Sequence, residues 1–300
     1  MCPATMGRRP ADGPPLPVIT DESWARVRAA LDAAAGRFAE LVSSLPDGHA
    51  KATRHWSVTD VAAHVANVAG LYVSIVATDP DRGPDARLPA RAANATLDTV
   101  GAMNAAGLRE ITERDPEKLA ALLRANVEAL LSATAGTAPH TPVPWLGGSR
   151  MPVAGLLAHL LNELLIHGRD IARARRLRWR VPPEDAAWFF ELFFIGVTTY
   201  GAGHLLDAGK TGEPVRTGRL VAEFRSRYTT PVTVVVHDGQ VLAERPGRKP
   251  DVRVSFDPAA LDLMLFRRVG KLRAVLTGKV VISGRRPWRL RNFFRAIHIP

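Results

Sequence analysis

The chain has 300 residues, 46% of them hydrophobic, and a net charge of +11. This length predicts about two domains, each large enough to bury an ordinary core. The chain shows neither a run of about 18 apolar residues, as a bilayer span requires, nor a signal-peptide pattern near its start. We therefore expect a cytoplasmic protein without a membrane partner, preceded by a disordered tail over residues 1–20.

The only cysteine, Cys2, lies in that tail. An intramolecular disulfide is therefore excluded, and so is a cysteine nucleophile in a folded core. Any thiol chemistry would need a thiol supplied by another molecule.

The positive charge is concentrated at the C-terminal end. Residues 245–300 contain fourteen Lys or Arg and three Asp. Their net charge of +11 equals that of the whole chain. Three interpretations remain open: a solvated basic face, the electropositive wall of an anion-binding pocket, or a surface for nucleic acid or acidic membrane. The segment has few aromatic residues and no familiar DNA-reading motif, so we expect no nucleic-acid partner.

Apolar residues recur at intervals of three and four along the N-terminal two thirds of the chain, which predicts amphipathic helices. The first is expected over Asp21–Leu45. The second is expected from Ser57 to about Thr78, because Ser57 and Asp60 have the spacing of a capping box and His64 lies in its apolar stripe. Residues 79–95, rich in Pro, Arg, Asp and Ala, are expected to form an exposed loop.

Four further helices are predicted in this half, three of them before residue 175. A weak one covers Leu97–Arg114, and a stronger one begins at Asp115-Pro116, an N-cap followed by a first-turn proline. After a loop over Thr137–Pro152, the stretch Leu156–Ala174 forms the third. With no strand pattern before residue 215, residues 21–208 are predicted to be an all-α bundle.

The last helix of this half is expected over Pro183–Leu206. Five aromatic residues cluster in its first half, namely Trp188, Phe189, Phe190, Phe193 and Phe194. We expect them to pack between the two domains, with a substrate pocket as the alternative.

The periodicity changes after a predicted linker over residues 209–218. Alternating and β-branched runs predict strands near residues 220–224, 232–236, 241–244, 252–256 and 280–282, and Asp238-Gly239 has the pattern of a two-residue hairpin turn. Helices are predicted from Asp257-Pro258 to Phe266, over Leu272–Leu276 and over Pro287–Ile297. Residues 219–300 are therefore predicted to be a small α+β domain.

The helix Leu156–Ala174 carries the residues most typical of a metal site. Glu163 and His167 are four positions apart and share one helix face with apolar neighbours. His159 and His167 lie about 12 Å apart along the helix axis, at ~1.5 Å per residue, too far to bind one ion together. We favour His167 because Asp170 follows it as a candidate outer-shell partner. His64, inward on another helix of the bundle, is the expected third ligand.

Two segments then resemble a known family. Trp56 to His64, WSVTDVAAH, and Glu163 to Asp170, ELLIHGRD, are similar to the paired motifs of the mycothiol-dependent maleylpyruvate isomerase family of actinobacteria, which has a DinB-like metal-binding four-helix bundle. The loop with Val143-Pro144-Trp145 fits as well, and the resemblance covers residues 21 to about 205. It implies that His64, Glu163 and His167 are zinc ligands. The family often has an aromatic residue at the position of Arg169, so a substrate contact there is in doubt.

The C-terminal half is similar to the sterol-carrier-protein-like domain that often follows this bundle. The resemblance rests on Leu276 to Trp288, LTGKVVISGRRPW. It implies that an arginine near a leucine-rich helix faces the active site, and Arg267 or Arg268 occupies the matching place. The expected fold is thus a multidomain α and α+β protein, a four-helix bundle followed by a small sterol-carrier-protein-like domain.

The expected chemistry is activation of a thiol by a metal. A zinc ion, or another divalent metal, held by three side chains keeps an open position in which a thiol of pKa ~8.5 becomes a thiolate at neutral pH. The resemblance implies mycothiol as cosubstrate and a small, possibly anionic, electrophile. The enzyme would be an isomerase if the sulfur leaves again and an S-transferase if it stays. The alternative function is a non-enzymatic small-molecule or lipid carrier with a structural metal.

Overall fold

A computed structural model describes residues 16–45, 48–77, 90–203, 205, 218–237, 240–247, 249–291 and 293 of the chain. Of the expected tail over residues 1–20, residues 1–15 lie outside these ranges, and so do residues 209–217 of the expected linker over residues 209–218. The N-terminal part is helical and the C-terminal part is α+β, as the sequence predicts.

Four long helices form the N-terminal bundle. The first two, α1 and α2, each pack against the other two, α5 and α6, and their apolar faces form one continuous core. The helices are α1 (Asp21–Ser43), α2 (Val58–Val76), α5 (Pro116–Ala133) and α6 (Val153–Ala174).

The helix starts follow from local sequence. Ser57 and Asp60 form the expected capping box at the start of α2, each side chain bonding the backbone N–H of the other. Asp115 accepts hydrogen bonds from two backbone N–H groups in the first turn of α5, and Pro116 is its first residue. These caps fix where α2 and α5 begin, and so which residues of α2 face the bundle core.

Helix α2 is long and apolar enough to cross a membrane by length and composition. However, 61% of its apolar window is buried inside the protein. Its apolar character therefore serves the bundle core.

Two predictions about the loops were wrong. The stretch before α6, expected to contain no strand, forms a two-stranded antiparallel ribbon of β1 (Pro142–Pro144) and β2 (Arg150–Pro152). Its turn contains Gly147 at φ 66°, where an added Cβ would overlap Ala95 and Leu205.

Within the segment expected to be a loop over residues 79–95, Ala90–Ala93 form a short helix, α3. The weak helix is shorter than predicted, Val100–Glu110 (α4).

The aromatic helix is also shorter than predicted. It runs from Pro183 to Tyr200 as α7 (Pro183–Trp188), a π-helical segment (Phe189–Phe194) and α8 (Ile195–Tyr200). Gly201, at φ 121°, ends it. The expected end at Leu206 lies outside the described residues.

The C-terminal domain is built on a five-stranded sheet with the order β5-β4-β3-β6-β7. Strands β3 and β6 are parallel and the other neighbours are antiparallel. The predicted hairpin residues Asp238-Gly239 lie outside the described residues, but His237 and Gln240 pair on either side of them. The strands are β3 (Leu220–Ser226), β4 (Thr229–His237), β5 (Gln240–Glu244), β6 (Val252–Phe256) and β7 (Val280–Ser283).

Two short helices, α9 (Pro258–Leu265) and α10 (Lys271–Leu276), connect β6 to β7. Asp257 caps α9 through the backbone N–H of Ala260. Of the helix predicted over Pro287–Ile297, Pro287–Arg289 form a 3₁₀ turn, and most later residues are outside the described ranges.

The aromatic helix joins the two halves, as expected from its sequence. Phe190 lies in the C-terminal core, with ring centroids 5.2 Å from Phe224 and 5.1 Å from Phe256. Phe189 and Phe193 face the bundle instead. The π-helical segment thus presents Phe190 to the C-terminal core and Phe189 and Phe193 to the bundle. It holds the two domains together and also lines a cavity described below.

Candidate metal centre

Helices α2 and α6 bring three potential metal ligands to one point. His64 Nε2 and His167 Nε2 each lie 3.3 Å from the same carboxylate oxygen, Glu163 Oε2. One ligand atom from each of the three residues lies within 4.8 Å of the other two. Two imidazole nitrogens and a carboxylate oxygen are ligands that a divalent transition metal prefers, so the donor set fits zinc.

The backbone explains this convergence. Glu163 and His167 are one turn apart on α6, so their side chains project from the same face. His64 comes from the middle of α2, which packs directly on α6. The side chain of His64 is 5% exposed and those of Glu163 and His167 are 13% exposed, so the three polar groups face inward with limited access from solvent.

Electrostatics favour a charged Glu163. Burial alone would raise the pKa of its carboxyl group, but hydrogen bonds from His167 and His64 hold that pKa well below its usual range. Burial lowers the pKa of His64. Burial would lower the pKa of His167 as well, but Asp170 and Glu163 raise it to about 9. Glu163 is therefore an anion at neutral pH and ready to bind a cation.

Asp170 lies behind His167, away from Glu163. Its Oδ2 atom is 3.3 Å from His167 Nδ1, an ion-pair distance, although Nδ1 makes no hydrogen bond of good geometry. Burial would raise the pKa of Asp170, but His167 and Arg268 lower it. A carboxylate in this position orients a ligating imidazole and raises its basicity.

The structure distinguishes the two candidate arginines. Arg268 donates from Nε to Asp170 Oδ1 at 3.1 Å and from Nη2 to Asp170 Oδ2. Arg267 is exposed and adopts a left-handed backbone conformation, with φ 59°. Arg268 thus reaches the metal centre through Asp170. Neither arginine lines the cavity beside the centre, and neither does Arg169.

His159 lies outside the ligand group, one turn before Glu163. Its Nε2 atom is 3.8 Å from the second carboxylate oxygen, Glu163 Oε1. The Trp145 indole N–H donates to the Tyr72 hydroxyl at 3.1 Å, and that hydroxyl is 2.8 Å from His159 Nδ1. Burial lowers the pKa of His159 and raises that of Tyr72. No sequence pattern singles out Tyr72, because its partners come from other elements.

A cavity of about 440 Å³ opens beside the metal centre. His64, Glu163 and His159 lie on its wall, and Phe189, Phe193 and Phe266 are among its apolar residues. Phe266 comes from the end of α9 and packs against Phe189 with ring centroids 5.4 Å apart, so the C-terminal domain contributes to the wall. A volume of this size is typical of a small-molecule site. The aromatic helix therefore packs between the two domains, as expected, and also lines this cavity.

Trp56 also borders the centre. Its ring centroid is 4.9 Å from that of His64 and 6.4 Å from that of His167. It directly precedes the capping residue of α2, so the cap that starts the helix also places an aromatic ring against two of the three ligands.

Comparison with known families matches both parts of this architecture. Residues 27–172 match the family described as mycothiol maleylpyruvate isomerase N-terminal domain. Residues 219–286 match the SCP-2 sterol transfer family. The chain therefore combines an N-terminal domain of the mycothiol maleylpyruvate isomerase family with a C-terminal SCP-2 domain, as the sequence motifs indicate.

Among solved structures, a mycothiol-dependent maleylpyruvate isomerase matches this chain at 16% identity and a TM-score of 0.46. The match covers 87% of this chain and 92% of that protein. A mutant of that enzyme gives 15% identity, the same coverage and the same TM-score. A double mutant of the sec-alkyl sulfatase PisA1 gives 14% identity, 68% and 41% coverage and a TM-score of 0.25. A search of curated proteins gave no match.

Proposed function

We propose that this protein is a zinc-dependent enzyme that activates the thiol of mycothiol for addition to a small electrophilic molecule. The observation that carries the proposal is the convergence of His64, Glu163 and His167 at the wall of a cavity. The family supports mycothiol as the thiol cosubstrate. The absence of a core cysteine fits a nucleophile that comes from solution.

A bound divalent ion would lower the pKa of a coordinated thiol, so that a thiolate forms at neutral pH. His64, Glu163 and His167 would hold the ion. Three protein ligands are the usual number in catalytic zinc sites, which keep a further position for substrate. Two of the three, His64 and Glu163, lie on the cavity wall, so a thiol bound there would meet a molecule in the cavity.

The protein's own residues supply orientation. Asp170 fixes His167 from behind, and Arg268 holds Asp170 in turn. The apolar walls exclude water from the reacting sulfur, which keeps a thiolate reactive. The same site supports both an isomerase, in which sulfur adds to a double bond and leaves after rotation, and an S-transferase, in which it stays on the product. We expect a cytoplasmic location, where a small-molecule thiol would be present.

The test starts with the purified protein and its bound metal. We expect about one zinc per chain in the wild type and in His55→Ala, a control at an exposed histidine. His64→Ala should lose most of the zinc and the zinc-dependent consumption of mycothiol with a panel of electrophiles, followed by mass spectrometry. His159→Asn should keep the zinc, because His159 is not in the ligand group. Full zinc content and full activity in His64→Ala would contradict the proposal.

A further inference from the structure

The cavity beside the metal centre indicates what kind of electrophile reacts there. Resting on the proposed function, we propose that the electrophile is an uncharged α,β-unsaturated ketone or aldehyde with an apolar body about the size of one ring. The apolar body would lie along the aromatic wall, and the carbonyl oxygen would accept a hydrogen bond from His159 Nε2.

The aromatic wall is continuous from His159 to the C-terminal domain. The Phe193 ring lies 4.7 Å from the His159 ring and 5.0 Å from the Phe189 ring, on which it stacks. Phe266 and Trp145 extend the wall by edge contacts with Phe189 and Phe193. Such a surface binds a flat apolar group by burial and ring contacts.

The described part of the wall offers an anion no free cationic side chain. A bound divalent ion would carry no net charge once both the Glu163 carboxylate and the mycothiol thiolate ligated it. Arg91 is the one Lys or Arg on the described part of the wall, and its guanidinium is bound through both terminal nitrogens to Glu110. Asn67, Ser74 and Asn104 are polar but uncharged. A carboxylate in the cavity would therefore give up its hydration without gaining a free cationic side chain from the described wall.

His159 provides a donor of fixed orientation. The indole N–H of Trp145 can only donate, so the Tyr72 oxygen accepts there, and the Tyr72 O–H is left to donate to His159 Nδ1. In a neutral imidazole that accepts at Nδ1, the proton is on Nε2. This N–H lies on the Glu163 side of the ring, at the metal end of the cavity.

The reaction would then use this donor directly. The thiolate sulfur forms a bond to the β-carbon, and the electron pair of the C=C bond moves to give an enolate whose oxygen bears the charge. The His159 N–H stabilises that oxygen as the charge develops. In an isomerase the electron pair returns and the C–S bond breaks after rotation. In a transferase, the proton released from the mycothiol thiol ends on the α-carbon.

The binding test uses a matched pair of unreactive ketones, so that it does not depend on catalysis. The probes are 4-phenylbutan-2-one and its para-carboxylate, 4-(3-oxobutyl)benzoate, titrated by calorimetry into the zinc-loaded protein saturated with mycothiol, so that the thiol occupies the open position on the metal. We expect the neutral ketone to bind at least about 10-fold more tightly. Equal binding of the two ketones, or tighter binding of the carboxylate, would overturn the inference. It would also be overturned if the cavity variant described below left the affinities for both ketones unchanged.

The cavity variant is Met103→Arg, with Met103→Gln as its control. Met103 is half-buried on α4 and lines the cavity, and arginine has a similar length. The new guanidinium should tighten binding of the carboxylate at least about 10-fold and weaken binding of the neutral ketone, whereas glutamine should change the preference little. Zinc content and circular dichroism establish that both variants fold.

The kinetic test uses the corresponding enones, 4-phenylbut-3-en-2-one and its para-carboxylate, with mycothiol. We expect kcat/KM to be at least about 10-fold higher for the neutral enone. His159→Gln should lower kcat with the zinc content unchanged. If a cobalt-substituted enzyme shows no thiolate absorption with mycothiol, the proposed function fails. If it does show that absorption but prefers the carboxylate enone, only the substrate class fails.

Discussion

Arg268 of the C-terminal domain and Asp170 of helix α6 form a two-point ion pair at the edge of the metal centre. Asp170 in turn lies 3.3 Å from His167. The second domain is therefore connected to a candidate ligand residue through one intermediate side chain, so we expect this interface to influence metal binding.

Removing the guanidinium should weaken metal binding. Arg268→Ala leaves Asp170 with one partner fewer and frees the His167 ring, so we expect the zinc Kd to rise about 10- to 100-fold. The measurement is competition with a chelator of known affinity. Arg267→Ala is the matched control, because that neighbouring side chain is exposed, and its Kd should change less than about 2-fold. Equal effects of the two substitutions would show that only net charge matters.

The Tyr72 hydroxyl should contribute more stability than that of Tyr200. In Tyr72→Phe the buried Trp145 N–H and His159 Nδ1 both lose their partner, which should lower the free energy of unfolding by about 1–3 kcal/mol. Tyr200, which is half-buried, donates to the His140 carbonyl at 3.1 Å, so Tyr200→Phe should cost less, about 0.5–1 kcal/mol. Urea denaturation measures both. The reverse order would argue against the buried Trp145–Tyr72–His159 chain.

Gly168 should not tolerate a side chain. An added Cβ would overlap the indole ring of Trp179, whose N–H donates to the Leu165 carbonyl at 3.0 Å. Gly168→Ala should therefore destabilise the protein by about 1–3 kcal/mol.

Gly36→Ala is the matched control, since Gly36 is also inside a helix but its added Cβ lies 4.0 Å from Arg124. That substitution should stabilise by about 0.5–1 kcal/mol through helix propensity. Thermal unfolding compares the two variants. A stable Gly168→Ala protein would mean that Trp179 moves freely at this position.

Asp262 should make stability fall as the pH rises. Its side chain is 1% exposed and its Oδ2 atom has no hydrogen-bond partner among the described residues. Burial, together with nearby Asp257, raises its pKa well above the usual range. The folded protein thus keeps a proton that the unfolded chain loses above about pH 4, so the free energy of unfolding decreases with increasing pH.

Asp262→Asn removes this titration while keeping the shape. The variant should equal the wild type near pH 4 and be more stable by at least about 1 kcal/mol at pH 7. Urea denaturation at several pH values gives the difference. A constant difference across the pH range would show that Asp262 does not titrate as described.

Much of this molecule was predictable from local sequence. The periodic apolar residues predicted the bundle helices, Ser57 and Asp60 predicted where α2 begins, and the change of period after residue 218 predicted the sheet. Each of these features depends on residues three or four positions apart in a helix, or two positions apart in a strand. Spacings this short can be read directly from a sequence pattern. The spacing of Glu163 and His167 is of the same kind.

Other features depend on residues that are distant in sequence. The ribbon of β1 and β2 has only three residues per strand, too few for a periodic signal. The packing of helices and domains decided which arginine meets Asp170 and which residues of the aromatic helix line the cavity. It also placed Tyr72 between Trp145 and His159. The sequence alone determined which residue types can bind a metal and on which helix faces they lie. Only the tertiary structure decided which of them share one point, because that depends on the distance between separate elements.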